Sequence, residues 1–252
     1  MDPTQAYSAD RSLKGKLRRR YARLVHRRPA RLNLDGPVVS FTFDDAPDSA
    51  ATDGARILED AGARGTFYVC AGLHGQDGPM GRYADRGQIA RIARRGHEIA
   101  CHTWSHLDCG QASAAAIAAD AARNAEVLTR AGFPPRHFAW PYGDVSPRGK
   151  RVLGDRYGSL RALHPGLVED GVDLNQLPAV GVEGDSGEAV ARAWIDRAAD
   201  RGAWLILYTH DVRAAPSPWG CKPDALARLA AHARARGAAI RTVGQVLTEG
   251  EP

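Results

Sequence analysis

The sequence predicts an α/β fold in which a parallel sheet is closed, or nearly closed, into a barrel. Three observations lead there. From residue 38 onward, short apolar runs alternate with longer polar stretches at helical spacing, the pattern of repeated strand–helix units. About seven or eight of these runs qualify as strands, which suits a barrel; a doubly wound open sheet is the structural alternative. The 252-residue chain is 44% hydrophobic, enough for one such domain and its core.

Taken in order, residues 38–43 read as a strand and 49–61 as a helix. Residues 66–70 read as a strand and 87–95 as a helix; 98–101 as a strand and 112–131 as a long Ala-rich helix; 137–140 as a strand and 147–153 as a helix. Weaker strand signals lie at 159–163 and 178–182. A helix at 188–201 precedes an apolar strand at 203–209, and a helix at 223–236 precedes a last strand at 239–242 and a last helical turn at 243–248. Residues 75–87 form a Gly-rich loop that could act as a lid.

Residues 1–36 read as a basic arm and 37–252 as the barrel. Residues 1–37 hold ten Lys/Arg against three Asp, whereas the remainder holds 24 basic and 26 acidic residues. A nucleic-acid-binding core is disfavoured, because such a core carries its own basic face. In the arm, Leu13, Leu17, Tyr21, Leu24 and Val25 recur among the cations at helical spacing. Two readings stay open: a helix closing the bottom of the barrel with a solvated charged face, or contact of residues 11–31 with an anionic membrane surface. No apolar stretch follows the arginines, so the arm does not read as a secretory signal. With four cysteines (Cys70, Cys101, Cys109, Cys221) and no Cys-x-x-Cys pair, the expected location is the cytoplasm, peripheral to the inner membrane if the arm binds lipid. The oligomeric state stays open.

Chemistry-bearing residues gather after strands. Asp44 and Asp45 end the first strand, where two adjacent carboxylates need a cation, a proton or a network to hold them. His102 and His106 follow the third strand; at i and i+4 they can face one way on a helical turn and bind one metal. Two imidazoles and one carboxylate with open positions make a catalytic metal site. Pro141-Tyr142-Gly143 follows the fourth strand, its Pro and Gly fixing a turn that can aim a backbone N–H inward. The apolar strand at 203–209 delivers His210 to the same end.

Thr42-Phe43-Asp44-Asp45, His102-Thr103-Trp104-Ser105-His106, Pro141-Tyr142-Gly143 and Leu207-Tyr208-Thr209-His210 together resemble the ordered motifs of the polysaccharide deacetylases, the NodB-homology family or carbohydrate esterase family four. The resemblance runs over roughly residues 36–248 and implies a distorted (β/α) barrel with about seven parallel strands. It implies that Asp45, His102 and His106 bind a divalent metal, commonly zinc, and that Asp44 is the general base. It further implies that His210 is the general acid, that the Tyr142 N–H helps hold an oxyanion, and that Leu207 lines a pocket for an acetyl methyl. The expected substrate is a carbohydrate, an N-acetylated amino sugar in a glycan or glycan precursor. A small or lipid-linked amide acted on by an amidase or deformylase is one alternative; a catalytically inactive glycan-binding protein is another.

The chain departs from the family pattern at three places. Ala139 stands where the family usually has an arginine that contacts the base aspartate, and Arg161 is the candidate substitute for it. Asp155 and Asp185 are the candidates for the acidic residue that tunes the acid histidine. Ala46 stands where glycine is commoner. Pro141, Trp140, Trp104 and Arg161 join Leu207 as candidate substrate-binding residues; Tyr83, Tyr142 and Trp219 are further candidates for stacking on sugar faces.

Overall fold

The computed structural model describes residues 13–248. Of the basic segment 11–31, residues 11 and 12 therefore lie outside the described part. Seven parallel strands make the central sheet: β1 (Val38–Asp44), β2 (Thr66–Val69), β3 (Glu98–Cys101), β4 (His137–Ala139), β5 (Ser159–Arg161), β6 (Val180–Gly181) and β7 (Trp204–Thr209). Their order is β6-β7-β1-β2-β3-β4-β5. The edges approach each other just before β6, where the Leu177 N–H donates to Leu160 O at 2.9 Å and the Ala162 N–H to Leu177 O at 2.8 Å. The expected distorted barrel is what the chain forms. Ala239–Ile240 adds a short parallel segment beside the start of β1.

The helices are α1 (Leu13–Ala22), α2 (Ala55–Asp60), α3 (Arg86–Arg94), α4 (Ala114–Arg130), α5 (Pro147–Leu153), α6 (Gly187–Arg201), α7 (Pro223–Ala235) and α8 (Val243–Thr248). Residues 49–61, read as one helix, instead begin with a π-helical turn at Ala50–Gly54 before α2. The Gly-rich loop is ordered by a small antiparallel pair, Asp77–Gly78 with Gly81–Arg82.

Strand alternation divides the side chains into two sets. Val39, Phe41, Phe43, Phe67, Leu205 and Leu207 face the helices and pack with Leu58, Ile92, Leu226 and Leu229 into the largest apolar cluster. Ser40, Thr42, Asp44, Tyr68, Ala139, Arg161 and Tyr208 belong to the opposite register and turn into the barrel, where Tyr68, Ala100 and Ala139 touch. Parallel pairing then levels the strand ends. Thr209 lies beside Phe43, Asp44 beside Tyr68, Val69 beside Cys101, and Ala139 beside Arg161. The residues that follow these strands therefore open onto one rim, the end where parallel barrels build sites.

Candidate active site

The rim is shaped by backbone that L-residues rarely adopt. Among the described residues, six non-glycine residues have positive φ, and five of them stand here: Asp45 (60°), Ala46 (49°), Thr103 (65°), His106 (56°) and Tyr142 (58°). Each such residue costs of order 1 kcal/mol or more and persists only where its surroundings over-determine it. At Asp45-Ala46 the paired left-handed residues turn the chain abruptly at the end of β1, so Asp44 and Asp45 point to different places. The same φ explains why glycine suits position 46.

His102 and His106 do not lie on a helical turn, contrary to expectation. Residues 102–106 form an irregular loop broken by the positive φ values of Thr103 and His106. Asp120, from α4, holds the loop: its carboxylate accepts from the Trp104 N–H (2.6 Å), the Ser105 N–H (3.1 Å) and the Ser105 hydroxyl (2.8 Å). The loop brings His106 Nε2 to 3.4 Å and His102 Nε2 to 3.7 Å from Asp45 Oδ1. One ligand atom from each of the three residues lies within 4.8 Å of the others.

This donor set fits a divalent cation. His102 Nδ1 lies 2.9 Å from Ala139 O and donates to it, which leaves the Nε2 lone pair facing Asp45; metal-binding histidines are oriented by such outer contacts. Burial pushes the His102 imidazole down to about 4, so it is neutral and able to ligate at neutral pH. The His106 ring stands edge-on to Tyr142, with centroids 4.3 Å apart.

Asp44 is buried beside this cluster and ion-paired with Arg161, itself completely buried. The register accounts for the pairing: Arg161 stands beside Ala139 on the neighbouring strand. The cation sits one strand over at the same level, and the small Ala139 leaves it room. Tyr68 and Tyr208 cover the guanidinium, 4.9 Å and 5.4 Å from its carbon to the ring centroids. Burial alone pushes the Asp44 carboxyl up, but Arg161, followed by His102 and His210, offsets that and holds it below the ordinary carboxylate range.

His210 follows β7, whose Thr209 lies beside Phe43, and so stands next to Asp44 at the rim. Its Nδ1 lies 3.1 Å from Trp219 O and 3.4 Å from Glu183 Oε1. Both are acceptors, so Nδ1 carries a proton and the titrating proton belongs to Nε2. Burial pushes the imidazole down, but the Glu183 hydrogen bond, with the charges of Asp44 and Asp45, raises it to about 9. Glu183 also accepts from the Tyr208 hydroxyl at 3.2 Å.

Several expectations need correction, beginning with Arg161 as a substrate-binding residue: it is fully buried and paired with Asp44. Leu207 is not on the site side: strand parity turns it toward the helices, among Phe41, Phe43 and Val180. Tyr208, one residue on, shares the parity of His210. Trp140 is fully buried under α5, with its ring against Phe138 and Gly149. Trp104 is half-buried and engaged within the protein: the Arg123 guanidinium lies 4.1 Å from its centroid and Gly72 abuts the ring. Asp155 and Asp185 are both exposed; Glu183 is the carboxylate at His210. Pro141 is buried within the turn that carries Tyr142. Tyr83 is buried and Trp219 half-buried. Sequence reasoning missed Glu183, Tyr208 and Asp120; the available signal for Glu183 was a carboxylate directly after the weak strand at 178–182.

The sequence pattern of the polysaccharide deacetylase family matches residues 31–155, which include Asp44, Asp45, His102, His106 and the Tyr142 turn. The chain carries a polysaccharide deacetylase domain. A chitin deacetylase of Pestalotiopsis sp. is 30% identical over 117 residues, 46% of this chain and 37% of that protein. The match thus spans little more than a third of the curated relative's length. Among solved structures, the chitin deacetylase of Colletotrichum lindemuthianum superposes with a TM-score of 0.61 at 20% identity, over 88% of this chain and 92% of the other. A family 4 acetyl xylan esterase of Clostridium thermocellum, solved with cobalt, gives 0.57 at 25% identity, over 85% and 93%. The fold is therefore shared beyond residues 31–155.

Proposed function

We propose that the protein is a metal-dependent hydrolase that removes the N-acetyl group from an acetylated amino sugar within a glycan or glycan precursor. The observation that carries this reading is the arrangement around Asp45, His102 and His106: a buried carboxylate held charged by Arg161 and an imidazolium held charged by Glu183 border the same three-residue cluster. Asp45, His102 and His106 would hold a divalent ion, with zinc the best match to two imidazoles and a carboxylate, and that ion would supply Lewis-acid polarisation and a water of lowered pKa.

The chain's own groups do the rest. Asp44, kept ionised, accepts the proton of the attacking water. The Tyr142 backbone N–H is the group assigned to donate to the oxygen where negative charge develops. His210 delivers the Nε2 proton to the departing amine, a poor leaving group until protonated. Arg161 and Glu183 act through Asp44 and His210 and are positioning residues.

The test is acetate release from N-acetylated chitooligosaccharides by chelator-treated protein with zinc, cobalt or nickel restored. Release with metal and none without supports the reading. Acetate from acetylated xylan alone would move the substrate to an O-acetyl ester, the substrate in the clostridial relative's name. No acetate from either class under any metal would overturn the hydrolase reading.

A further inference from the structure

The α1 helix is docked with its polarity reversed. Its barrel-facing positions are Gly15 and Ala22, both buried, and the half-buried Arg18. Polar contacts fasten that face: Arg18 Nη2 to Asp144 Oδ2 at 2.6 Å, and Lys150 Nζ, also paired with Asp173, to Ala22 O at 2.8 Å. The outer face carries Leu13, Leu17 and Tyr21, continued by Leu24 just past the helix end; they are 78%, 67%, 58% and 69% exposed. Among the described residues these are four of the five exposed large apolar side chains; the fifth, Val190, lies elsewhere. A surface helix ordinarily turns such a stripe toward the core, and a contiguous outward apolar stripe marks a surface that something covers.

The flanking side chains say what covers it. Arg20 and Arg23 are exposed within the stripe's own stretch of chain, and Arg27 and Arg31 are exposed further along it, in the segment that holds ten Lys/Arg against three Asp. We infer that α1 and the turn after it form a docking surface for an anionic lipid membrane. The helix lies in the plane of the interface, its leucines and Tyr21 in the headgroup boundary and its arginines on lipid phosphates. Charge decides between occupants. A second copy would bring an equal density of arginine against the first, a like-charge repulsion. An anionic bilayer satisfies the cations and accepts the leucines and the amphipathic tyrosine together. Among the described residues no helix is long and apolar enough to cross a membrane, so the attachment is interfacial and reversible. Asp144, which Arg18 grips, follows the Tyr142 turn directly, so α1 stands beside the catalytic end. The surface does not depend on which acyl group the site removes.

Co-sedimentation of the full chain with vesicles tests this. Binding is expected to phosphatidylcholine vesicles containing about a third phosphatidylglycerol, not to pure phosphatidylcholine, and is expected to weaken with salt. The Leu13→Ser/Leu17→Ser/Tyr21→Ser variant is expected to lose about tenfold or more in partitioning, with an unchanged melting temperature because these side chains are exposed. Failure of the wild type to bind the anionic vesicles would overturn the proposal. So would undiminished binding by the triple variant. A dimer in sedimentation equilibrium that the same variant dissolves would overturn it in favour of a second copy.

Discussion

Asp44 and His210 stand at the ends of two neighbouring strands and solve the same electrostatic problem with opposite signs. Burial works against the charged form of each. Asp44 stays ionised because the buried Arg161 guanidinium faces it. His210 stays protonated, up to about 9, because Glu183 faces it. Neither partner comes from the strand that carries the group it serves: Arg161 ends β5, and Glu183 follows β6. Asp44 is locked in a fully enclosed pair, whereas His210 is held by a partner about a quarter exposed. The comparison teaches that the Asp44 pair is closed to solvent, whereas the His210 pair is partly open to it.

The largest way to break this comparison is on the base side itself. Asp44→Asn keeps the shape and removes the proton acceptor, and kcat should fall about 10²–10⁴-fold with the fold retained by circular dichroism.

Arg161→Met comes next. It leaves Asp44 buried and unpaired, which should cost about 3–5 kcal/mol of stability in urea titration, together with a fall in kcat. Because Ala139 neighbours Arg161 in register, adding Ala139→Arg to Arg161→Ala should recover part of both losses. No recovery would show that the level of the cation in the barrel does not suffice.

The smallest effect belongs to the acid side. His210 has its pKa raised, so its proton is present at neutral pH and is lost as pH rises through about 9. Glu183→Gln removes the main raising partner. The alkaline limb of kcat/KM should therefore move down toward the ordinary imidazole value near 6.5, with a loss at pH 7 of about tenfold or less. An alkaline limb that stays in place would remove Glu183 from the account.

Much of this was legible in the sequence. The strands at 98–101 and the helices at 147–153 and 243–248 have the bounds expected of them, because apolar runs and Pro or Ser punctuation are local signals. Asp45, His102 and His106 were legible as a set because each follows a strand. What failed depended on parity or on distant pairing. Leu207 and Tyr208 are adjacent and apolar, and only the register of β7 decides which faces the site. Trp140 looked like a sugar platform because it borders the Tyr142 turn, yet its side chain packs under α5. Glu183 lies 27 positions before His210, and nothing short of the folded sheet joins them. Arg161 and Ala139 were readable as a possible exchange, but the reason it works is their pairing across two strands.

The most direct test of the account is anomalous diffraction at the zinc edge from crystals soaked with zinc. The account predicts one strong peak bonded to a carboxylate oxygen of Asp45 and Nε2 of both His102 and His106. A peak held by other residues, or none at this cluster under conditions where the protein releases acetate, would contradict it.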